Sequence, residues 1–502
     1  MKKYFYSISS NWINLLVAIA IAFIVSPILV NSLGKDVYGI WILIVSMTSY
    51  FTLLDLGVNS AIVKYISEFI ARNDHKNVNR IFSTSLFLFF LLAMITLVIS
   101  IFLALNFHSF FEITIFSKNY VALTFFIVGI DLTINLLFSV YLGTLKAFNK
   151  FVALNIINIV IAITKNSIFV YLLLYQSSSI LTLSLVQLIF TLIKTFIHYF
   201  LIKSLPFRVR FSFNHISKSS LKILYQYSIY SFLIAVSHKM IFYTDTIIIG
   251  AIIGVEEIAY YAIPLTLVQY IEQFVWAIIA VLIPIISAKS AFDDLSSTKK
   301  IYKLGTKYIF LLFSPVLVVL FSVGDQFIGM WMGDDFRIPS GKILVIFLCG
   351  YTFLLGQLVA HGILKGIGKH KWLAITLLFE ATLNLCISLL LAPVYGIYGV
   401  AIGTAIPMVV MNLLIIPYIT SYQLKINVYK YMLNSFAMPL LILILITSLL
   451  IMLNVELESY WQLILYSSIV VLIYLPIFYF SLENSEKLKA DSYLSLYFGS
   501  RR

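Results

Sequence analysis

The sequence predicts an all-α integral membrane protein: about fourteen transmembrane helices, in two six-helix bundles followed by a C-terminal helix pair. Three observations carry that reading. The first is composition. Of 502 residues, 61% are hydrophobic and 11% charged, with a mean hydropathy of +1.02. A water-soluble domain carries about 25% charged residues, so the surplus apolar side chains must face lipid rather than water. Soluble cytoplasmic and secreted enzymes are excluded on that ground.

The second observation is the run length. Spanning a bilayer takes about 20 consecutive, mostly apolar residues. Such runs lie near 11–33, 38–59, 81–105, 120–145, 151–175, 179–202, 223–250, 257–286, 304–323, 341–364, 371–391, 396–418, 433–453 and 459–480. They are continuous, unlike the short alternating strands of a membrane β-barrel. The run after Asn11 is long enough to span and reads as a retained helix, not a cleaved leader. Stretch 371–418 is too long for one crossing, and Pro393 and Gly396 divide it.

The third is charge. With both termini in the cytoplasm, 27 of the 34 lysines and arginines fall in inside segments, four fall outside and three lie within spans. This recurrent asymmetry supports both the span count and the orientation. The net charge of +13 is therefore a property of the inner face, where anionic lipid lies. The basic residues are dispersed among short loops, which argues against a nucleic-acid partner.

Loops limit the function further. The longest outside segments, 106–119 and 324–340, and the longest inside ones, 60–80, 203–222 and 287–303, are too short to fold a catalytic domain. There is no GxxxxGK[ST] run to cradle ATP. Cys349 and Cys386 lie in apolar runs, so no disulfide framework is indicated, and no His/Cys/Asp spacing resembles a metal site. The sequence predicts no cofactor, no metal and no enzymatic activity. Basic segment 203–222 separates a first bundle, 1–202, from a second, 223–418; residues 419–502 hold helices 13 and 14 and a cytoplasmic tail. A short internal match, Gly34-Lys-Asp36 against Gly254-Val-Glu256, supports the repeat.

Charged groups inside spans are expensive, at least about 2.5 kcal/mol each on insertion scales, and so should face the bundle interior or a wet cavity. Eight occur: Asp55, Asp131, Asp245, Glu272, Glu380, Lys165, Lys194 and Lys239. Several sit in polar stripes at helical spacing. The second span has Thr48, Thr52, Asp55 and Asn59. The fifth has Asn155, Asn158, Lys165 and Asn166. The sixth has Ser184, Gln187, Thr191, Lys194 and His198. The seventh has Ser228, Ser231, His238 and Asp245, with Lys239 at its edge, and the eleventh has Glu380, Asn384 and Ser388. Buried Ser, Thr and Asn also tie helices together, and a lone Asp–Lys pair can serve as a latch. A stripe running the length of a span is what a water-filled route needs.

The signs of the charges assign candidate roles. Lys165, Lys194 and Lys239, with His198 and His238 beside two of them, form a cationic set suited to a phosphate or diphosphate headgroup. Asp55, Asp131, Asp245, Glu272 and Glu380 are candidates for coupling to a proton or cation. Gln269, with Tyr260, Tyr261, Tyr270 and Trp276, has the ring-plus-amide chemistry of a sugar groove; apolar filling is the other account of those rings. Prolines within the spans, Pro264 and Pro407 among them, loosen helical turns.

The run Leu33-Gly-Lys-Asp-Val-Tyr-Gly-Ile-Trp41, the run Leu53-Leu-Asp-Leu-Gly-Val-Asn-Ser60 with Lys64-Tyr65, and Tyr395-Gly-Ile-Tyr-Gly-Val-Ala-Ile-Gly403 carry a family resemblance. With the fourteen-span topology, the chain resembles the polysaccharide-biosynthesis branch of the multidrug/oligosaccharidyl-lipid/polysaccharide exporter superfamily, in particular the Wzx-type O-antigen flippases. The resemblance implies a bacterial inner-membrane protein that moves an undecaprenyl-diphosphate-linked oligosaccharide between leaflets by alternating access. It also implies coupling to an H⁺ or Na⁺ gradient, a cationic central cavity, and a polysaccharide polymerase and chain-length regulator as protein partners. Two other readings remain open: a multidrug or cation antiporter of the same superfamily, which favours an acidic cavity and twelve spans, and a membrane enzyme such as an O-antigen polymerase, which favours long outside loops.

Overall fold

A computed structural model describes the chain except residues 1, 56, 112, 114, 177–178, 206–208, 292–294, 483–486 and 488–502. Most of the tail expected after the last span, and the side chain of Ser228, lie outside the described residues. The rest is mostly helical, and among the described residues there is no strand.

The first half comprises α1 (Lys2–Leu33), α2 (Lys35–Ser49), α3 (Val58–Ala71), α4 (His75–Phe110), α5 (Lys118–Ala147), α6 (Phe151–Tyr175) and α7 (Ile180–Lys203). The second half comprises α8 (Lys218–Ile252), α9 (Ile258–Ala291), α10 (Leu295–Met332), α11 (Asp334–Gly366), α12 (His370–Val410), α13 (Ile416–Leu424), α14 (Val428–Tyr431), α15 (Met438–Met452) and α16 (Tyr460–Ser481). Their starts follow local chemistry. The side chains of Asp74, Ser117, Ser179 and Ser459 accept a backbone N–H at the heads of α4, α5, α7 and α16. Gly34, Gly254 and Gly333 take φ of 79°, 150° and 113° before a new helical segment, and each is followed two residues later by an acid. A positive φ suits glycine, and an acid suits the positive end of a helix.

Among the described residues, thirteen helical segments are long and apolar enough to cross a membrane. One of them, His370–Leu424, has 55 residues and is broken at Gly396, where φ is 58° and ψ −142°. The chain turns back there: a Cβ on Gly399 would lie 2.4 Å from the Leu391 carbonyl oxygen, and one on Gly403 would lie 2.3 Å from Ser388 Oγ. Two limbs of α12 thus pack backbone to backbone, one on either side of Gly396.

Two boundaries differ from those read in the sequence. The run 38–59 is not one helix: α2 ends at Ser49, a 3₁₀ stretch covers Tyr50–Asp55, and Gly57 in the left-handed region (φ 71°) precedes α3. The expected outside loop 324–340 is mostly helical. α10 runs through a non-helical Val323 to Met332 and α11 starts at Asp334, because Gly324 and Gly341 let the two helices approach closely against Leu344 and Asp325.

The chain divides into two compact units. One unit comprises residues 1–263 and 370–407. In it α4 packs on α5, α1 on α6, α5 on α7 and α2 on α8, over a core that includes Ile62, Phe89, Val140 and Leu145. Gly39 is required there, since a Cβ would meet the Val255 carbonyl oxygen at 2.1 Å. The other unit comprises residues 264–369 and 408–502 and centres on α10, which packs on α11, α15 and α16.

Candidate functional site

The first unit holds two polar clusters built around buried carboxylates. The first forms where α5, α6 and α7 meet. Asp131 is 5% exposed, and the ammonium groups of Lys165 and Lys194 both act on it electrostatically. Lys165 Nζ donates to Gln187 Oε1 at 2.6 Å. Asn135 Nδ2, one turn from Asp131, donates to Asp131 Oδ2 at 3.3 Å and to Thr191 Oγ1 at 3.4 Å. His198 is buried within reach of the Lys194 charge. The charge of one carboxylate thus acts on two lysines, and the cluster carries a formal excess of positive charge.

Asn135 also borders a small cavity of about 160 Å³, lined by the apolar Phe51, Leu132 and Leu136 and by Thr52, Asp55, Asn59 and Ser139, at the break between α2 and α3. Asp55 Oδ1 accepts the backbone N–H of Asn59 at 3.1 Å, and Lys146 acts on the same carboxylate. Asp55 thus satisfies a donor at the head of a half-helix, a local role that sets it apart from the other acids. Discontinuous helices of this kind mark binding regions in transporters, because the free backbone groups of a broken helix can meet a ligand.

The second cluster surrounds Asp245 on α8, which is 1% exposed. Tyr261 Oη donates to Asp245 Oδ2 at 2.6 Å and Ser388 Oγ to Oδ1 at 3.1 Å; Thr404 Oγ1 also donates to Oδ2. Asn384 Nδ2 lies 3.4 Å from Oδ2 and 2.9 Å from Thr404 Oγ1. Asn384 and Ser388 come from one limb of the α12 hairpin and Thr404 from the other. All four donors are neutral. Around the carboxylate lie hydroxyl oxygens, the Asn384 amide oxygen and the Val400 carbonyl, which accepts from Ser388 and Thr404 at 3.3 Å each. Hard oxygen donors without a fixed positive charge suit an alkali cation or a proton. Glu380 is buried one turn before Asn384 on the same face.

The structure sets several other candidates apart. Lys239 lies over the Tyr243 ring, 4.3 Å from its centroid, and its carbonyl accepts from Tyr50 Oη at 3.1 Å; it shares no interaction with Lys165 or Lys194. His238 stacks on Phe242 with centroids 5.8 Å apart. Thr48, Thr52 and Ser184 turn their hydroxyls back onto carbonyls of their own helical segment. In the second unit Glu272 accepts from Trp276 Nε1 at 3.2 Å, and the Lys365 ammonium lies 4.2 Å from a Trp276 ring centroid and acts on Glu272. Gln269 is half-buried in that unit. Spacing did not reveal Tyr261 and Thr404 as partners of Asp245, nor Lys365 as the partner of Glu272. It also missed a buried network in which Tyr302 and Tyr431 stack at 4.1 Å and both donate to Gln357 Oε1. Among the described residues no group of three or more His, Cys, Asp or Glu can hold a metal ion.

Fold and clusters together describe a polytopic helical membrane protein with charged side chains buried among its spans. More narrowly, residues 2–290 match the polysaccharide biosynthesis protein family, and the chain belongs to it. A candidate O-antigen transporter of Shigella flexneri is 21% identical over 399 residues, covering 77% of this chain and 90% of the relative. Among solved structures, the lipid II flippase MurJ in an inward closed conformation aligns with a TM-score of 0.68 at 17% identity, covering 95% of this chain and 99% of that one. An inward-facing multidrug resistance transporter of the MATE family aligns with a TM-score of 0.71 at 13% identity, covering 82% and 98%. At such identities the solved structures establish the fold.

Proposed function

We propose that the protein is a flippase for a lipid-linked oligosaccharide, moving an undecaprenyl-diphosphate-linked O-antigen or related repeat unit from the inner to the outer leaflet of a bacterial inner membrane. The observation that carries this reading is a cluster in which two lysines, Lys165 and Lys194, outnumber the one carboxylate, Asp131, whose charge acts on both, while Lys165 Nζ donates to Gln187 Oε1. Uncompensated positive charge is costly inside a membrane, and a diphosphate offsets it while gaining charge-assisted hydrogen bonds. Asn59, Asn135, Thr52 and Ser139 at the adjoining small cavity offer amide and hydroxyl groups to hydroxyl-rich cargo. Lys239, placed apart, acts as a later contact along the route. The likeness to the Shigella transporter supports the same class of cargo.

In this scheme Asp245 takes the coupling ion, since a buried carboxylate facing neutral donors is incomplete without a cation or proton. The distribution of basic residues supports a topology with both termini in the cytoplasm. Transport of a fluorescent undecaprenyl-diphosphate sugar in proteoliposomes tests the scheme. Lys165→Ala should lower the rate at least about tenfold, the value of one charge-assisted hydrogen bond, with insertion and abundance unchanged; an unchanged rate removes Lys165 from the cargo site. Asp245→Asn should abolish the response to an imposed Na⁺ or H⁺ gradient, and a normal response would reject ion coupling at that position.

A further inference from the structure

The second unit has a groove that the transport scheme does not use. It lies between the end of α9 and the start of α10, has a volume of about 380 Å³, and is graded in character. Lys289, Ser297 and Lys300 line it where the two helices approach their connection, while Leu282, Ile301 and Leu304 line it further along. From Ser297 to Leu304 α10 rises about 10 Å, at roughly 1.5 Å per residue. That is the scale over which a bilayer changes from headgroup to acyl chain. Tyr308 borders the apolar end and packs against Phe478 with ring centroids 5.9 Å apart.

Charge selects the occupant. Residues 282–308 contain five lysines and two aspartates, a formal surplus of three positive charges. The basic-residue distribution puts this connection at the cytoplasmic face, where anionic lipid headgroups concentrate and basic pockets between transmembrane helices receive them. A zwitterionic lipid would gain little from two lysines, and a soluble anion would leave the apolar end of the groove unused.

We propose that this groove is a binding site for an anionic phospholipid of the cytoplasmic leaflet. Lys289 and Lys300 hold the phosphate, Ser297 donates to its oxygens, and Leu282, Ile301 and Leu304 contact the first part of an acyl chain. The site is distinct from the Lys165–Asp131–Lys194 cluster and does not depend on the cargo assigned to it.

The test uses purified full-length protein and native mass spectrometry, titrated separately with phosphatidylglycerol and phosphatidylcholine. The wild type should retain phosphatidylglycerol in preference to phosphatidylcholine. Each of Lys289→Gln and Lys300→Gln should reduce that preference about fivefold, and the double variant roughly thirtyfold, as expected if each surface lysine contributes about equally. The control double variant Lys425→Gln/Lys430→Gln removes two basic charges elsewhere and should keep the preference. Ile301→Trp fills the groove at constant charge and should also lower retention; its monodispersity and thermal midpoint show whether it is folded. Equal retention of both lipids by the wild type, an unchanged preference in the Lys289/Lys300 double variant, or an equal loss in the control would overturn the proposal. So would displacement of the lipid by inorganic phosphate at equal concentration, because the apolar end would then contribute nothing.

Discussion

Asp131 and Asp245 are the same side chain, buried in the same unit on apolar helices, yet their surroundings are opposites. The charges of two lysines act on Asp131, whereas the hydrogen bonds to Asp245 come from neutral donors. A carboxylate compensated by fixed cations holds its place electrically and leaves positive charge over for an anion. One surrounded by hydroxyl and amide groups has its hydrogen bonds met and its charge unmet. The pair shows that a buried acid in a transporter is assigned by the sign of its neighbours, not by its burial.

The largest effect expected from this contrast is on stability. Asp131→Asn removes the negative charge that acts on Lys165 and Lys194 and should destabilise the purified protein, the direction expected when a charge loses its counter-charge. Asp245→Asn, at a carboxylate bonded by neutral donors, should cost less. Denaturation midpoints of both variants in one detergent compare them directly, and a larger loss at Asp245 would reverse the comparison. Next in size is the ranking of the lysines. Lys239→Ala should retain more transport than Lys165→Ala, because Lys239 lies outside the cluster. Equal losses would mean that the three act together on the cargo. Glu380→Gln, one turn from the Asp245 cluster, should blunt the response of the flipping rate to a pH step without abolishing it. A full response would leave Asp245 to carry coupling alone.

The smallest effect lies outside the spans. Asp74 caps α4, and the backbone N–H of Asn77 holds its carboxyl below the usual carboxylate range. A lowered native value means that the cap contributes above the ordinary carboxylate range and is lost as pH falls through the lowered value. Asp74→Ala should therefore reduce the thermal midpoint slightly at neutral pH and leave it unchanged in strong acid, whereas Asp74→Asn, which keeps an acceptor, should preserve most of the cap.

Most of the helical architecture is legible in the sequence because lipid imposes a simple rule on it: long uninterrupted apolar runs, ended by charge. Even the reversal at Gly396 is visible, since 371–418 exceeds one crossing and contains both Pro393 and Gly396. The break at Tyr50–Asp55 is not, because Gly57 sits in an ordinary run and the signal is the local cap from Asp55 to Asn59. Spacing places Asp245, Asn384 and Ser388 on the polar faces of their helices. It cannot say that these faces meet, nor that Thr404 and Tyr261 join them, because such contacts link residues as far apart as 159 positions. The three lysines show the same limit: Lys165 and Lys194 meet at Asp131, but Lys239 looks equivalent only while helices are read one at a time.

The missing side chain at Gly403 has a consequence of its own. Its hydrogen atoms occupy the space where a methyl group would collide with Ser388, so the gap between the hairpin's limbs is set by a residue that never touches the acid. Widening that gap by an ångström or so, as Gly403→Ala should, would draw Ser388 and Thr404 away from opposite sides of Asp245. Under the proposed coupling role of Asp245, selectivity between a small and a large alkali ion would then respond to a residue that contributes no ligand atom.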